Sequence, residues 1–248
     1  MPIFTLNIGL FTLAPTWYGL MYALSFYIFF LILRKQKISE KNIDILLLYT
    51  LIGVLLGGRL GYVFFYNFPY YRDHLLEILM PWRGGMSFHG GALGVILAWY
   101  YAACRMHIPF LKLSDQLVWI VPIGLFFGRI GNYINGELLG LAGYTGWFAK
   151  MVQGVSYFPT PLLEALGEGV LLGGALYWKR NHIRYPGELG VWFLGGYGTV
   201  RFIAEFFRDP DLQIGYIFGD WMTLGHILSL AMIAMSLLLH FVLKNKKF

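Results

Sequence analysis

Long apolar segments constrain this chain more than any other feature of its sequence. A helix needs about 20 mostly apolar residues to cross the hydrocarbon core of a bilayer. Seven candidate segments lie at about 17–33, 43–66, 87–105, 114–135, 160–178, 187–207 and 221–243. Only 13% of the residues are charged, about half the fraction typical of a soluble domain. The sequence therefore predicts an all-α integral membrane protein, a single polytopic domain over residues 1–248, and excludes an ordinary soluble enzyme.

The distribution of basic residues predicts the orientation of these segments, because cytoplasmic loops of membrane proteins carry an excess of Lys and Arg. With the N-terminus outside, the inner loops and the C-terminal tail hold Arg34, Lys35, Lys37, Lys41, Arg105, Lys112, Lys179, Arg180, Arg184, Lys244, Lys246 and Lys247. The outer loops hold only Arg72, Arg83, Lys150 and Arg208. We therefore expect an outside N-terminus and a cytoplasmic C-terminus. The bias also explains the net charge of +6 without a nucleic-acid partner.

The outer loops are short, and the longest lie at about 67–86 and 136–159. Both are aromatic, as is typical of residues at a membrane interface. Their aromatic residues include Tyr70, Tyr71, Trp82, Tyr144, Trp147 and Phe148. The sequence leaves no room there for a second, soluble domain.

Small residues recur at helical spacing within the segments. Glycines spaced by four let helix backbones approach closely in membranes, and two such runs are Gly53, Gly57 and Gly61, and Gly124 and Gly128. We expect both runs to pack against neighbouring helices. The single cysteine, Cys104, excludes an internal disulfide and a cysteine-based metal cluster, and we expect it to fill the core at the inner end of the third segment.

Several ionisable residues lie in or beside the predicted spans, where a charge costs about 2.5–3.5 kcal/mol on insertion scales. They are Arg59, His89, Arg129, Glu137, Glu164, Glu168, Arg201, Glu205 and His226. All fall towards the outer side; Arg129, for example, precedes the outer end of its segment by about 9 Å at 1.5 Å per residue. Independent salt bridges would be scattered in depth. We therefore expect one polar cavity in the outer half of the membrane.

Three segments place an arginine on a polar stripe with helical spacing. The stripes are Arg59, Tyr62 and Tyr66; Arg129, Asn132 and Gly136; and Tyr197, Arg201, Glu205 and Arg208. A guanidinium group stays charged in a low dielectric and binds phosphate oxygens in pairs, which favours a site for an anionic headgroup. Alternatively, Arg201–Glu205 and Arg59–Glu164 only neutralise each other. Arg129, in a polar run interrupted by glycines, fits that alternative least well.

Other function classes explain these features less well. A transporter for an anionic lipid or solute would also use arginines within the membrane, but it needs polar groups near the midplane that both sides can reach. A structural assembly protein that uses its glycine faces would leave the arginines unexplained. The sequence has no Gly-x-Ser-x-Gly motif and no histidine spacing typical of zinc, so we expect no metal and no cofactor.

Five segments resemble the bacterial prolipoprotein diacylglyceryl transferases, in the family's order and over most of the chain. They are WYGLMY (17–22), GGRLGYVFFYNFP (57–69), GGMSFHGG (84–91), GRIGNYINGE (128–137) and YGTVRFIAEFFRDPD (197–211). The resemblance implies transfer of the diacylglyceryl group of phosphatidylglycerol to the thiol of the lipobox cysteine in a prolipoprotein signal peptide. A thioether forms and glycerol phosphate is released, as the first step of bacterial lipoprotein maturation. The resemblance also implies seven spans in the inner membrane and an active site facing the periplasm, and we expect a monomer.

The same resemblance suggests roles for individual residues. The implied catalytic residues are Tyr18, His89, Arg129, Arg201 and Glu205. The implied phosphatidylglycerol-binding residues are Arg59, Gly90, Arg129, Asn132, Asn135, Glu137 and Tyr197. We expect Arg129 and Arg201 to hold the phosphate, and His89 either to deprotonate the thiol or to contact the headgroup. One stretch departs from the family's HPSQLYE-like pattern: it reads FPTPLLE (158–164) and keeps only Pro159, Leu162 and Glu164.

Overall fold

The computed structural model describes residues 3–8, 11–36, 38–80, 84–209 and 215–246, without the side chains of 6–8 and 11–13. Some residues of the sequence analysis lie outside the described residues: Lys37, Trp82, Arg83, Pro210, Asp211 and Lys247. The chain forms two compact units. The small unit is Ile28–Leu113, and the large unit combines Met1–Tyr27 with Ser114–Phe248.

Helices account for most of the described residues. The first half of the chain contains α1 (Trp17–Lys35), α2 (Glu40–Phe65), α3 (Phe68–Asp73), a 3₁₀ turn (Leu75–Leu79) and α4 (Phe88–Met106). The later ones are α5 (Phe110–Leu117), a 3₁₀ turn (Val118–Ile120), α6 (Val121–Asn135), α7 (Thr160–Glu164), a π-helix (Ala165–Leu171), α8 (Leu172–Lys179), α9 (Glu188–Glu205) and α10 (Leu224–Asn245). The boundary between the units falls within α1 and within α5.

Two short antiparallel hairpins interrupt this helical architecture. Strands β1 (Leu6–Ile8) and β2 (Phe11–Leu13) form one, and β3 (Lys150–Val152) and β4 (Val155–Tyr157) form the other. In the second hairpin, the turn residues Gln153 and Gly154 have φ angles of 51° and 81°, as a two-residue turn between twisted strands requires. The sequence analysis did not predict either hairpin.

Four helical segments among the described residues are long and apolar enough to cross a membrane. They are Trp17–Lys35, Glu40–Phe65, Phe110–Asn135 and Leu224–Asn245, and they coincide with the first, second, fourth and seventh predicted segments. The other three predicted segments are helical as well, within 88–106, 160–179 and 188–205. The structure therefore supports an all-α membrane protein, and seven crossings stay a prediction.

In the small unit, α2 and α4 pack through glycines. A Cβ atom on Gly53 would lie 2.6 Å from the Gly94 carbonyl oxygen, and one on Gly61 would lie 2.6 Å from the Gly90 Cα. The prediction of close backbone contact is thus confirmed for the first glycine run. It is wrong for Gly124 and Gly128, because no described atom lies within 4 Å of a Cβ built on either residue.

Replacing Gly94 with valine is expected to lower the thermal stability of the purified protein. The new Cβ would lie 2.9 Å from the Gly57 Cα and closer still to the Gly53 carbonyl oxygen, so the two helices must separate, at a cost of about 1–3 kcal/mol. Thermal unfolding in detergent measures the effect. Gly174→Ala is the control, since open space surrounds that position. If both variants melt at the same temperature, close packing does not stabilise the α2–α4 pair.

Cys104 does not fill the core: it lies in the last turn of α4 and is exposed. The prediction of burial was wrong because the position faces away from the α2 contact, where Ala102 and Ala103 are buried instead.

In the large unit, a buried carboxylate fixes the start of α9. Asp115 on α5 accepts hydrogen bonds from the backbone amides of Gly187 and Leu189, at 2.7 and 2.9 Å. Lys179 at the end of α8 pairs with Glu188 at 2.8 Å. Since the first amides of a helix have no partner within it, these contacts anchor the end of α9 that is distant from Arg201 and Glu205.

Candidate active site

Three arginines and three glutamates of the large unit form one ion-pair network, which we call the arginine–glutamate cluster. Its members are Arg129, Glu164, Glu168, Arg201, Glu205 and Arg208. They come from α6, from the α7–π-helix segment and from α9 with the turn that follows it. The structure thus brings together Arg129, Arg201 and Glu205, which the sequence analysis selected as catalytic residues.

Arg129 makes the most regular contacts in the cluster. Its Nε donates to Glu168 Oε2 at 2.9 Å, and its Nη2 donates to Glu168 Oε1 at 3.2 Å. Its Nη1 lies 3.0 Å from Glu164 Oε2 in an ion pair that lacks hydrogen-bond alignment. Tyr197, which is buried, is a further hydrogen-bond partner of Arg129. Two carboxylates and a phenol therefore fix the direction of this guanidinium group.

Arg201 shares one of these carboxylates with Arg129. Its Nη1 donates to Glu164 Oε1, and its Nη2 donates to Glu205 Oε2 at 3.1 Å. Arg208 Nη1 lies 3.8 Å from the same oxygen of Glu164. Glu164 thus links the three arginines, a role that the sequence analysis did not assign to it.

The cluster has an inner and an outer layer. The side chains of Glu164 and Glu168 are 0% exposed, whereas those of Arg129, Arg201 and Arg208 are 12–17% exposed. Three positive and three negative charges balance each other, so the network has no formal net charge. The side chain of Glu205 is 10% exposed and lies with the arginines, so only Glu164 and Glu168 form the deeper, negative layer. This separation of charge is dipolar, and a fixed dipole stabilises an anion placed against its positive side.

Glycines on both sides of Glu168 explain how its segment fits between two helices. A Cβ on Gly167 would lie 2.5 Å from Val200 Cγ1 of α9, and one on Gly169 would lie 2.6 Å from Phe126 Cβ of α6. Both helices can therefore approach the π-helix closely on either side of the glutamate. Single-turn π-helices are frequent at functional sites, and the Gly-Glu-Gly pattern was the available signal in the sequence.

A second polar group lies where the N-terminal end of α1 meets the C-terminal end of α6. The Tyr18 hydroxyl donates to Glu137 Oε2 at 2.8 Å and accepts a hydrogen bond from Asn132 Nδ2. Asn135 Nδ2 donates to Glu137 Oε1 at 3.3 Å. Four of the predicted site residues are therefore in direct contact, and Glu137, the exposed member, is oriented by a phenol and an amide.

The end of α6 explains why Glu137 turns back towards its own helix. Gly136 has a φ of 71°, a left-handed conformation that glycine adopts without strain. Its amide donates to the Tyr133 carbonyl, and the Glu137 amide donates to the Asn132 carbonyl at 2.9 Å. This pattern is a typical glycine C-cap, so the sequence NGE at 135–137 encodes the geometry locally.

Contacts at the start of α7 fix the glutamates relative to α9. The buried Thr160 donates through Oγ1 to the Phe207 carbonyl at 3.0 Å. Gly140 packs against the same carbonyl, so closely that a Cβ would overlap it. Leu141 donates its amide to it at 3.2 Å. The segment after α9, which carries Arg208, is thereby tied to the segment that carries Glu164.

Arg59, in the small unit, is buried, and its hydrogen bonds among the described residues go to backbone carbonyl groups and not to a carboxylate. It donates to the carbonyl oxygens of Glu77, Ile78, Gly84 and Gly85, and its guanidinium carbon lies 5.0 Å from the centre of the Tyr71 ring. These contacts hold the segment between α3 and α4, which contains the 3₁₀ turn. A role in headgroup binding stays a prediction for this residue.

His89 and Gly90 lie in the first turn of α4. Ser87 caps this helix by accepting a hydrogen bond from the Gly90 amide at 3.2 Å, and Gly90 packs directly against Gly57 and Gly61. His89 is exposed and contacts Phe88 edge-to-face, with ring centres 5.7 Å apart. The predicted roles of both residues in the reaction stay predictions.

Comparison with known proteins covers nearly the whole chain. Residues 5–242 match the family model described as prolipoprotein diacylglyceryl transferase. Among similar proteins is one from Hydrogenovibrio crunogenus, 42% identical over 88% of this chain and 85% of its own length. Others come from Wolbachia pipientis, 42% identical over 98% and 97%, and from Idiomarina loihiensis, 44% identical over 86% and 84%. All three are named phosphatidylglycerol–prolipoprotein diacylglyceryl transferase.

Proposed function

The chain belongs to the prolipoprotein diacylglyceryl transferase family, and from this premise we propose that it transfers the diacylglyceryl group of phosphatidylglycerol to prolipoproteins, the first step of bacterial lipoprotein maturation. One structural observation supports the proposal independently of the names of relatives. Arg129 and Arg201, on different helices, share the buried carboxylate of Glu164, and the side chains of both arginines are more exposed than the glutamate between them. A lipid phosphate is the anion that such a pair suits, because guanidinium groups bind phosphate oxygens in pairs.

The proposed reaction is a displacement at carbon. The acceptor is the thiol of the lipobox cysteine in the prolipoprotein signal peptide. Its sulfur forms a bond to the glyceryl carbon that carries the phosphate, and the bond between this carbon and the phosphate oxygen breaks. Glycerol phosphate leaves with the electron pair, and the thiol proton passes to a base. The product is a thioether.

The arginines would accelerate this step because negative charge grows on the leaving phosphate oxygen. Only interactions that strengthen in the transition state raise the rate. Guanidinium groups held by buried carboxylates need no reorganisation when this charge develops. Asn132 and Tyr18, which contact each other beside Glu137, would orient the headgroup from the other end of the same helix turn.

Activation of the thiol has two possible sources. A free cysteine thiol has a pKa of about 8.5, so it is mostly protonated at neutral pH. His89 would accept the proton, or it would contact the headgroup while the charge of the arginines favours the thiolate.

The variant His89→Gln separates these alternatives. If His89 is the base, the rate is expected to fall about a hundredfold, at the lower end of typical general-base contributions, with little change in KM for phosphatidylglycerol. If His89 contacts the headgroup, KM is expected to rise and kcat to stay near the wild-type value. Initial rates of thioether formation across a range of lipid concentrations measure both constants. A variant that keeps most of its activity removes the assignment as base.

We also propose that the chain spans the inner membrane seven times, with the active site facing the periplasm. In a Cys104→Ser background, Thr145→Cys in the outer hairpin region is expected to react with an impermeant maleimide in intact spheroplasts. Asn181→Cys, between α8 and α9, is expected to react only after permeabilisation. Both positions are exposed, so accessibility across the membrane decides the result. The opposite labelling pattern would contradict the orientation.

The function is tested with purified protein, phosphatidylglycerol vesicles and a peptide that contains a lipobox cysteine. Mass spectrometry is expected to show the peptide with one added diacylglyceryl group, and the same peptide with serine in place of cysteine is expected to stay unmodified. Movement of lipid between leaflets without modified peptide would instead support a transporter. We also propose that the protein is a monomer.

A further inference from the structure

The first turn of α10 lies directly beside the arginine–glutamate cluster. Thr223 is its N-cap residue: Thr223 Oγ1 accepts a hydrogen bond from the His226 amide at 3.4 Å, and the Thr223 amide donates to His226 Nδ1 at 3.2 Å. This reciprocal pair is a capping box, with histidine in place of the usual Glu or Gln. Thr223 is 5% exposed and His226 is 1% exposed, so solvent has little access to the arrangement.

The hydroxyl of Thr223 extends this capping box to Glu205. It donates to Glu205 Oε1 at 2.9 Å, while Glu205 Oε2 accepts from Arg201 Nη2 at 3.1 Å. The hydroxyl also lies 3.1 Å from His226 Nδ1, but it has only one proton, and a carboxylate is the stronger acceptor. Each oxygen of Glu205 therefore has its own donor, one from α10 and one from α9.

Gly225 makes this approach of Glu205 possible. A Cβ at position 225 would lie 2.7 Å from Glu205 Oε2 and even closer to the other two carboxyl atoms. The carboxylate thus rests against the first turn of α10, a helix of 22 residues. Unpaired amides and the helix dipole favour a negative charge at this end. An alanine here would push the carboxylate away from both Thr223 and Arg201.

Aromatic rings hold the same turn in place. The His226 ring lies 5.1, 4.5 and 5.7 Å, between ring centres, from Phe202, Phe206 and Trp221. Two of these residues belong to the end of α9 or follow it directly. The rings fix the first turn of α10 against the end of α9, and therefore fix Thr223 relative to Glu205.

We propose that Thr223, Gly225 and His226 are positioning residues for the transfer: through Glu205 they set the direction of the Arg201 guanidinium group. This inference rests on the proposed function. The three residues act only through Glu205, so their loss is expected to affect the orientation of Arg201 in the transition state more than the capture of lipid.

The test compares Thr223→Val with Thr223→Ser in the purified-protein assay with phosphatidylglycerol vesicles and lipobox peptide. Valine has the shape of threonine without the hydroxyl, and kcat is expected to fall about tenfold or more, the size of one lost hydrogen bond to a charged group. KM for phosphatidylglycerol is expected to change less than threefold. Serine restores the hydroxyl, and kcat is expected to recover to within about threefold of the wild-type value. Gly225→Ala is expected to resemble Thr223→Val, although it keeps the cap.

Ser236→Ala is the matched control. Ser236 is also a buried hydroxyl on α10 that bonds α9, donating to the Val191 carbonyl at 2.8 Å, but it lies more than three turns from Thr223. Its removal is expected to leave kcat unchanged. A fall in kcat equal to that of Thr223→Val would indicate general loosening of the α9–α10 contact and would overturn the proposal.

A double variant shows whether Thr223 acts through Glu205. If it does, Thr223→Val combined with Glu205→Gln is expected to be as slow as Glu205→Gln alone, whereas independent roles would multiply the two losses. Normal kcat in Thr223→Val, or fully multiplied losses, would overturn the inference while wild-type protein still forms the thioether. If wild-type protein forms no thioether, the proposed function itself fails.

Discussion

Replacing Arg129 with lysine is expected to lower kcat/KM for diacylglyceryl transfer about a thousandfold, with the protein still present in the membrane. Lysine keeps the positive charge but cannot donate to both oxygens of Glu168 as the planar guanidinium does. Loss of one preorganised donor to a developing oxyanion typically costs a factor of 100 to 1,000, and lysine also loses the paired contact with the phosphate. Thioether formation measures the rate, and immunoblotting of membranes measures the amount of protein.

Arg72→Lys provides the control for this substitution. Arg72 pairs with Asp73 at 3.4 Å, and both side chains are more than half exposed, so activity is expected to stay at the wild-type level. Arg129→Ala is less informative than lysine, because it leaves the buried Glu168 without its main partner. If Arg129→Lys keeps more than a tenth of the wild-type rate, Arg129 does not bind the phosphate in the transition state. Loss of the protein from the membrane would instead indicate a structural role.

Replacing Glu164 with glutamine is expected to have the largest effect on stability. Its carboxylate is 0% exposed and pairs with Arg129 and Arg201, with Arg208 3.8 Å away. Glutamine leaves three largely buried positive charges against two negative ones. Breaking a buried ion pair from one side typically costs about 3–5 kcal/mol. Thermal unfolding in detergent is expected to show a marked loss of stability, and activity is expected to fall with it.

The double variant Glu164→Gln/Arg208→Gln tests whether charge balance is the reason. Removing Arg208 restores equal numbers of positive and negative groups, so part of the lost stability is expected to return. Asp73→Asn, at an exposed pair worth little, is the control for loss of a carboxylate. A double variant less stable than Glu164→Gln would show that Arg208 stabilises the fold by contacts other than this pairing.

Helical periodicity predicted one contact of the cluster. Arg201 and Glu205 are four residues apart on one helix, so their contact could be predicted without knowledge of any neighbour. The glycine C-cap at Gly136 was not predicted, although it depends only on local geometry. The close packing of Gly53 against the α4 backbone was predicted from the spacing of its glycine run. The same rule failed for Gly124 and Gly128, since spacing shows that a helix surface is smooth but not that another helix covers it.

Partners on different helices could not be predicted in this way. The sequence analysis considered Arg59 as a partner of Glu164. In the structure, Arg59 donates to four backbone carbonyls between α3 and α4, and Glu164 pairs with Arg129 and Arg201. Glu168 had no assigned partner, although the glycines beside it were visible. Carboxylates are interchangeable in a sequence, and only the packing of helices decides which one an arginine reaches.

The sequence by itself determined that this chain consists mainly of apolar helices suited to a membrane, and it determined which residues share one face of each helix. Hydrophobicity and the 3.6-residue period act along a single helix, so they can be deduced from one segment at a time. The tertiary structure decided that Glu164 and Glu168 lie behind the arginines and that Thr223 supports Glu205. These arrangements depend on lateral contacts between helices. Such contacts arise when several helix surfaces fit together at once, so no repeating pattern along the sequence reveals them.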